Sequence, residues 1–331
     1  MNLENKQVLI TGSDGFIGSH LVERFLKENC KIRAFVYYNS FNSWGWLDTF
    51  SKEQLDKIEV FPGDIRDSYT VRKAVKDVDI ICHLAALIGI PYSYIAPESY
   101  VDTNVKGTLN VIQAAKDFKT EKIIITSTSE TYGSALKIPI DEKHPYQPQS
   151  PYSASKIGAD HISMSYYYSF GLPISIIRPF NTYGPRQSAR AIIPTIITQI
   201  LMGNKKIELG NLYPTRDLTY VLDLCEAYIK MSQTSGVQGE IINIGNSKEI
   251  SIQELVNKIK DLMNSDIEII SRTERHRPDS SEVNRLCADT NKASNLLDWK
   301  PEFSLTEGLK ATIEWFSEKV NLQKYKLIYN V

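Results

Sequence analysis

In Tyr152-Ser-Ala-Ser-Lys156 a phenol and an ammonium fall four residues apart, which on a helix places them one turn apart on the same face. A cation beside a phenol favours the phenolate. Lys156 is therefore expected to bring the Tyr152 pKa down towards working pH, making Tyr152 a general base for a hydroxyl whose carbon gives up a hydride. A second polar run, Ile125-Thr-Ser-Thr-Ser-Glu-Thr-Tyr-Gly133, follows an apolar stretch. Thr128 and Ser129 offer hydroxyls there and Glu130 a carboxylate. Reducing a simple ketone needs no carboxylate at this place, whereas removing a proton next to a ketone does. Taken singly, a Tyr/Lys pair arises by chance in many helices, and a Ser/Thr-rich strand end can merely cap a loop. Their joint position, after the fifth strand of a chain that opens with a glycine turn, argues for chemistry.

That turn is Thr11-Gly-Ser-Asp-Gly-Phe-Ile-Gly18, directly after an apolar strand and before a helical period. Glycines at 12, 15 and 18 allow a tight turn and close backbone approach to a pyrophosphate, at which the opening helix points its N–H groups. At the end of the next strand, where an Asp or Glu would bind a ribose diol, the chain reads Tyr37-Tyr-Asn-Ser40. Neither an acid nor an arginine stands there. Asn39 or Ser40 could reach a neutral ribose, whereas a 2'-phosphate would lack a partner, so NAD is the expected cofactor and NADP is left open. Asp64 lies just past a strand end, where it could accept from an adenine amino group or simply form a turn.

These residues need a scaffold that aligns strand ends. Short apolar runs at Gln7 to Thr11, Lys31 to Tyr37, Lys57 to Phe61, Ile80 to Leu84, Lys122 to Thr126 and Pro173 to Arg178 alternate with helical periods at Ile17 to Asn29, Tyr69 to Val75, Tyr100 to Phe118 and Tyr152 to Phe170. This alternation predicts an α/β protein with a Rossmann-like, doubly wound parallel sheet. After Arg178 the chain becomes punctuated by Pro and Gly, with one further strand expected at Ile241 to Gly245. We therefore expect a dinucleotide-binding domain over 1–180, revisited at about 219–245, and a smaller substrate lobe over 181–331.

The formal net charge is -1, with 42% hydrophobic and 23% charged residues, which leaves no basic face for nucleic acid or lipid headgroups. Apolar runs fall short of the roughly 20 residues that span a bilayer. No secretory signal pattern opens the chain, and cysteines 30, 82, 225 and 287 are too scattered to suggest disulfides or a metal site. A cytoplasmic, metal-free enzyme is expected.

The motifs TGxxGFIG, His83-Leu-Ala-Ala86, YxxxK and Arg178-Pro-Phe-Asn-Thr-Tyr-Gly-Pro185 together resemble the extended short-chain dehydrogenase/reductase superfamily over essentially the whole chain. The resemblance implies that Tyr152 and Lys156 are catalytic with Thr128 assisting, and that the cofactor lies against Gly12, Asp14, Gly15, Phe16, Ile17 and Gly18. It extends that surface to Asn39, Ser40, Asp64, Ile65, Leu84, Ala85 and Ala86. Asn181 and Arg216 would bind the substrate phosphates, and Arg277 would contact the nucleotide. More narrowly, Tyr37-Tyr-Asn-Ser-Phe-Asn-Ser-Trp-Gly-Trp-Leu-Asp48 and Arg186-Gln-Ser-Ala-Arg-Ala191 resemble the 4,6-dehydratases that act on nucleotide-linked N-acetylglucosamine in legionaminic-acid-type synthesis, with Arg186 at the substrate. Related hexose dehydratases carry Thr-Asp-Glu where this chain has Thr128-Ser129-Glu130, so Glu130 would serve as base and then as acid. The same motif resembles that of nucleotide-uronate decarboxylases. A 4-epimerase and a non-enzymatic dinucleotide sensor complete the alternatives; a sensor needs no Tyr/Lys pair and an epimerase needs no Glu130. The resemblance also implies a homodimer or dimer of dimers built on helices Tyr100 to Phe118 and Tyr152 to Phe170.

Overall fold

The computed structural model describes residues 1–272 and 278–326. Strands β1 (Gln7–Thr11), β2 (Lys31–Tyr37), β3 (Ile58–Gly63), β4 (Ile80–His83), β5 (Lys122–Thr126) and β6 (Ile174–Pro179) alternate with helices, as the periodicity predicts. They are followed by β7 (Asn181–Tyr183), β8 (Lys206–Leu209), β9 (Thr215–Tyr220), β10 (Ile241–Ile244), β11 (Glu249–Ser251) and β12 (Glu268–Ser271). Seven of them form one sheet in the order β10-β6-β5-β4-β1-β2-β3. Every pairing in it is parallel. The order reverses around β1 and β4, where an open α/β sheet has its ligand crevice.

A parallel sheet covered on both faces must be apolar on both, and β5 shows this directly. Ile123 and Ile125 pack into the cluster containing Val111, Ile112, Ile174 and Ile176 on one face. Ile124 turns the other way, towards Val8, Ile10, Leu21, Val22 and Phe25. The result is a rigid layer whose strand ends Thr11, Tyr37, Gly63, His83 and Thr126 all open on the same edge.

Two expectations are corrected. The helix read as continuous from Tyr100 to Phe118 has a wider π turn at Val101–Lys106, and regular helix resumes at Gly107–Phe118. Asn104 in that turn explains it: its amide donates to the Leu87 carbonyl and to Ser155 Oγ, both at 2.9 Å, and accepts from Leu87 N–H at 2.9 Å. The single strand expected after Arg178 is β10, which does join the main sheet beside β6. Five other strands occur there as well, in a sheet β11-β9-β7 and a pair β12-β8. At three to six residues each, with charged and polar residues throughout, they leave no apolar run of the kind that marks β4 or β10.

β1 and β4 are locked at their ends by a buried relay. Thr11 Oγ1 accepts from Leu84 N–H and Ala85 N–H, each at 3.1 Å, so its own proton goes to His83 Nδ1 at 2.8 Å. That fixes the tautomer: His83 Nε2–H donates to Thr108 Oγ1 at 3.1 Å, and Thr108 donates to the Asn104 carbonyl. Burial, and then the Lys156 charge, push the imidazole down to about 3. A folded-state pKa below the unfolded value contributes stability above about pH 6.5 that is lost as pH falls. Buried Asp217 and Asp223, raised to about 6, act in the opposite direction, so a difference measurement is needed. We expect the stability advantage of wild type over His83→Gln to be full at pH 7.5 and to shrink by about 1.4 kcal/mol per pH unit below pH 6.5. Urea midpoints for both proteins at pH 7.5 and 5 would check it, and a constant difference would refute the neutral relay.

Candidate active site

The glycine turn is compressed to the limit. A Cβ on Gly18 would stand 2.0 Å from the Gly12 carbonyl oxygen, so only glycine lets the first helix, Phe16–Lys27, start so close to β1. Its N-cap is Gly15, with no side chain capping the first N–H groups and no acidic residue in the first turn. Phe16 and Ile17 begin that turn. Such an N-terminus has donors free to meet an anion, which is what a dinucleotide pyrophosphate requires. Leu84, Ala85 and Ala86 border the turn, with the Leu84 and Ala85 N–H groups held by Thr11. The cradle fits a dinucleotide.

At the outer end of this cradle, the Asn39 amide donates to the carbonyls of Tyr37 at 3.2 Å and Ser43 at 2.8 Å and accepts from Phe41 N–H at 3.0 Å, building the loop that follows β2. Ser40 is exposed. Asp64 is gripped by Arg66, whose Nη2 lies 2.6 Å from Oδ2 and whose Nε lies 3.0 Å from both oxygens, and the Arg66 hydrogen bonds hold the carboxyl below its usual range. Ile65 beside it is buried, its carbonyl held by the Asn110 amide at 2.9 Å.

The Tyr152 helix, Pro151–Phe170, begins on a reciprocal Ser150/Ser153 capping box with Pro151 at its first position. Tyr152 and Lys156 are both buried, on one face as spacing requires. Thr128 hydrogen-bonds the phenol, and the Glu130 carboxylate is near enough for its charge to raise the phenol pKa. Thr128 also accepts from Glu130 N–H at 3.3 Å, opening the short turn Ser129–Tyr132 that turns Glu130 into the site. Ser129 is buried in the same turn. So the structure brings Thr128, Glu130, Tyr152 and Lys156 together. It does not bear out a lowered phenol pKa: burial dominates and pushes Tyr152 well up, Glu130 adds to that, and only the Thr128 hydrogen bond opposes them. Lys156 instead donates to the Thr126 carbonyl at 2.5 Å, its own pKa lowered by burial against the pull of Asp160.

Asp160, one turn beyond Lys156, escaped sequence reasoning. Its Oδ2 accepts from Arg178 Nη2 at 2.7 Å and Ser127 Oγ at 2.5 Å, with the two side chains of the ion pair 2% and 0% exposed. Arg178 also donates to Tyr132 at 2.6 Å and Tyr146 at 3.0 Å and lies over both rings. Asn104, holding the Leu87 loop and Ser155, was missed as well. The only available signal was the i, i+4 spacing of Asp160 from Lys156.

The proposed substrate residues divide. Asn181 starts β7 with a buried carbonyl oxygen that has no hydrogen-bond partner among the described residues. Arg216, buried on β9, donates to the carbonyls of Thr215 and Val283 and lies 3.4 Å from Glu282. Arg186 forks onto Glu23 of the first helix at 2.9 and 3.0 Å, over the Phe50 ring. Arg277 lies outside the described residues. Arg190, not singled out from sequence, reaches towards Gly89, its guanidinium 3.8 Å from where a Cβ there would be. Gly89 accepts from the Tyr100 hydroxyl, and the Tyr100 ring meets Tyr152 edge-on at 6.3 Å.

Comparison with known proteins agrees with this geometry. The chain is 33% identical over 315 residues to a putative UDP-glucose 4-epimerase of Methanocaldococcus jannaschii, covering 93% of this chain and 97% of that protein. It is 33% identical over 326 residues to a UDP-N-acetyl-alpha-D-glucosaminuronate decarboxylase of Bacillus cytotoxicus, covering 96% and 99%. A dTDP-glucose 4,6-dehydratase of Bacillus anthracis solved with NAD superposes with a TM-score of 0.81 at 31% identity, covering 95% of this chain and 97% of that one. The family model described as GDP-mannose 4,6 dehydratase matches residues 9–312. The chain therefore belongs to the GDP-mannose 4,6 dehydratase family of extended short-chain dehydrogenases/reductases, enzymes of nucleotide-sugar chemistry.

Proposed function

We propose that the protein is an NAD-dependent nucleotide-sugar 4,6-dehydratase that converts UDP- or GDP-N-acetylglucosamine to the 4-keto-6-deoxy sugar. The observation that carries this reading is the buried Glu130 carboxylate beside the Tyr152 phenol and the Thr128 hydroxyl. NAD, held by the glycine turn and the Leu84–Ala86 segment, supplies a reversible hydride acceptor. Tyr152 takes the proton of the C4 hydroxyl while Thr128 hydrogen-bonds the same oxygen. The resulting ketone acidifies C5–H, Glu130 removes that proton, and the C6 hydroxyl leaves as water, protonated by the same carboxyl because position 129 is a serine. The hydride taken from C4 would then be returned to C6 and a proton from solvent delivered to C5, giving the 4-keto-6-deoxy sugar with no net change of the cofactor. Lys156 keeps a cation behind the phenol, which its burial otherwise disfavours as an anion. The N-acetylglucosamine assignment rests on the Tyr37–Asp48 loop and its Trp44-Gly45-Trp46 motif. A dimer built on Gly107–Phe118 and Pro151–Phe170 fits the exposed Phe118, Tyr168 and Phe170 on those helices.

A uronate decarboxylase is the second reading. Ser129 suits it, and Arg190 near Gly89 and Tyr100 supplies a cation for a substrate carboxylate. Both begin by oxidising C4.

Incubation with UDP- and GDP-N-acetylglucosamine should give a product lighter by one water; unchanged mass with altered C4 configuration, or carbon dioxide release from the uronate, would displace the dehydratase. Glu130→Gln should still oxidise C4, seen as absorbance near 340 nm, while water loss falls by about 10²- to 10⁴-fold. Dehydration by this variant at the wild-type rate would remove Glu130 from the mechanism. Tyr152→Phe should slow both steps together by a similar factor. Only monomer at micromolar concentration in a size measurement would end the dimer assignment.

A further inference from the structure

The strand end that should read the cofactor ribose has no acid of its own, yet a carboxylate does sit there. Asp14, third residue of the glycine turn, crosses from β1 to β2 and accepts from Tyr37 N–H at 3.3 Å through Oδ2. The residue is partly buried. Burial raises its pKa, and the N–H groups of Tyr37 and of Asp14 itself draw it back down.

The loop after β2 holds Asp14 in this place. Trp46 N–H donates to the Asp14 carbonyl at 3.0 Å. Gly45, at φ +59, comes so close that a Cβ there would be 2.4 Å from that carbonyl oxygen, so no other residue fits between the tryptophans. Trp46 is anchored in turn by Trp315, 5.5 Å away and edge-on, and by Tyr325 at 5.9 Å. Asp48 braces the bend by accepting from Ser43 Oγ at 2.6 Å and Trp44 N–H at 3.0 Å. Arg66, a cation close enough to the Tyr37 phenol to feel its charge, is already bound by Asp64 through both oxygens.

We propose that Asp14 is the ribose-reading residue of the cofactor site, selecting NAD over NADP, and that the Trp44-Gly45-Trp46 loop is the device that positions it. A carboxylate can accept from a vicinal diol and repels a phosphate ester at the same point, so it acts by attraction and exclusion together. This deepens the NAD-dependent reading and rests on it.

The test is competitive retention. Full-length protein is equilibrated with equimolar NAD+ and NADP+, passed through gel filtration, denatured, and the released nucleotides are quantified by mass spectrometry. Wild type should retain NAD over NADP by about 100-fold or more, as like-charge exclusion implies. Asp14→Asn keeps the side-chain acceptor and removes the charge, and should reduce that ratio at least about tenfold. Trp46→Ala should reduce it in the same direction with the carboxylate intact; thermal melts confirm that both variants are folded. Equal retention by wild type, or an unchanged ratio in Asp14→Asn, overturns the proposal. A protein that selects NAD through Asp14 but removes no water from either sugar nucleotide would refute the dehydratase and leave this inference standing.

Discussion

The candidate active site is held together by a buried ion pair. Arg178, on the last residues of β6, and Asp160, in the middle of the Tyr152 helix, meet with almost no solvent exposure. Two ions removed from water are costly unless their remaining hydrogen-bonding groups are largely satisfied, and losing one partner of such a pair costs about 3–5 kcal/mol. Asp160 Oδ1 is buried without a hydrogen-bond partner among the described residues. The other bonds of the pair come from Ser127, Tyr132 and Tyr146. Each comes from a different piece of the site: the end of β5, the Glu130 turn, and the segment leading into the Tyr152 helix. One pair thus fixes the distance between the turn that carries the carboxylate and the helix that carries the phenol and ammonium.

The same pair sets the electrostatics. Lys156 is buried, donating to the Thr126 carbonyl, and that burial lowers its pKa. Asp160, one turn away, opposes that. Tyr152 experiences the reverse, since burial and the Glu130 charge both resist its ionisation. The Thr128 hydrogen bond is the contribution that opposes them.

Much of the architecture was legible because it is local. The glycine spacing, the Tyr152/Lys156 turn and the β-rich runs are each determined within a few residues, and they were found where expected. What escaped is non-local. Asp160 and Arg178 belong to separate elements, and nothing near either one announces the other. The bonds of the Asn39 amide to the Tyr37 and Ser43 carbonyls, of Asp14 to Tyr37 N–H and of Arg186 to Glu23 likewise join residues whose meeting spacing does not announce. The strands after Arg178 outside the main sheet, such as Thr215–Tyr220, mix charged and polar residues with few apolar ones and leave no apolar run to read.

The contact between Trp46 and Trp315 has an optical consequence. Of the four tryptophans, Trp299 is buried, its indole N–H bonded to the Asp223 carbonyl at 2.9 Å, and Trp44 faces solvent. Trp46 and Trp315, with ring centres 5.5 Å apart and planes at 72°, are close enough for their electronic transitions to couple. The chain therefore carries an intrinsic chromophore pair whose near-ultraviolet circular dichroism reports the seating of one loop against the last long helix, separately from the integrity of the sheet beneath it.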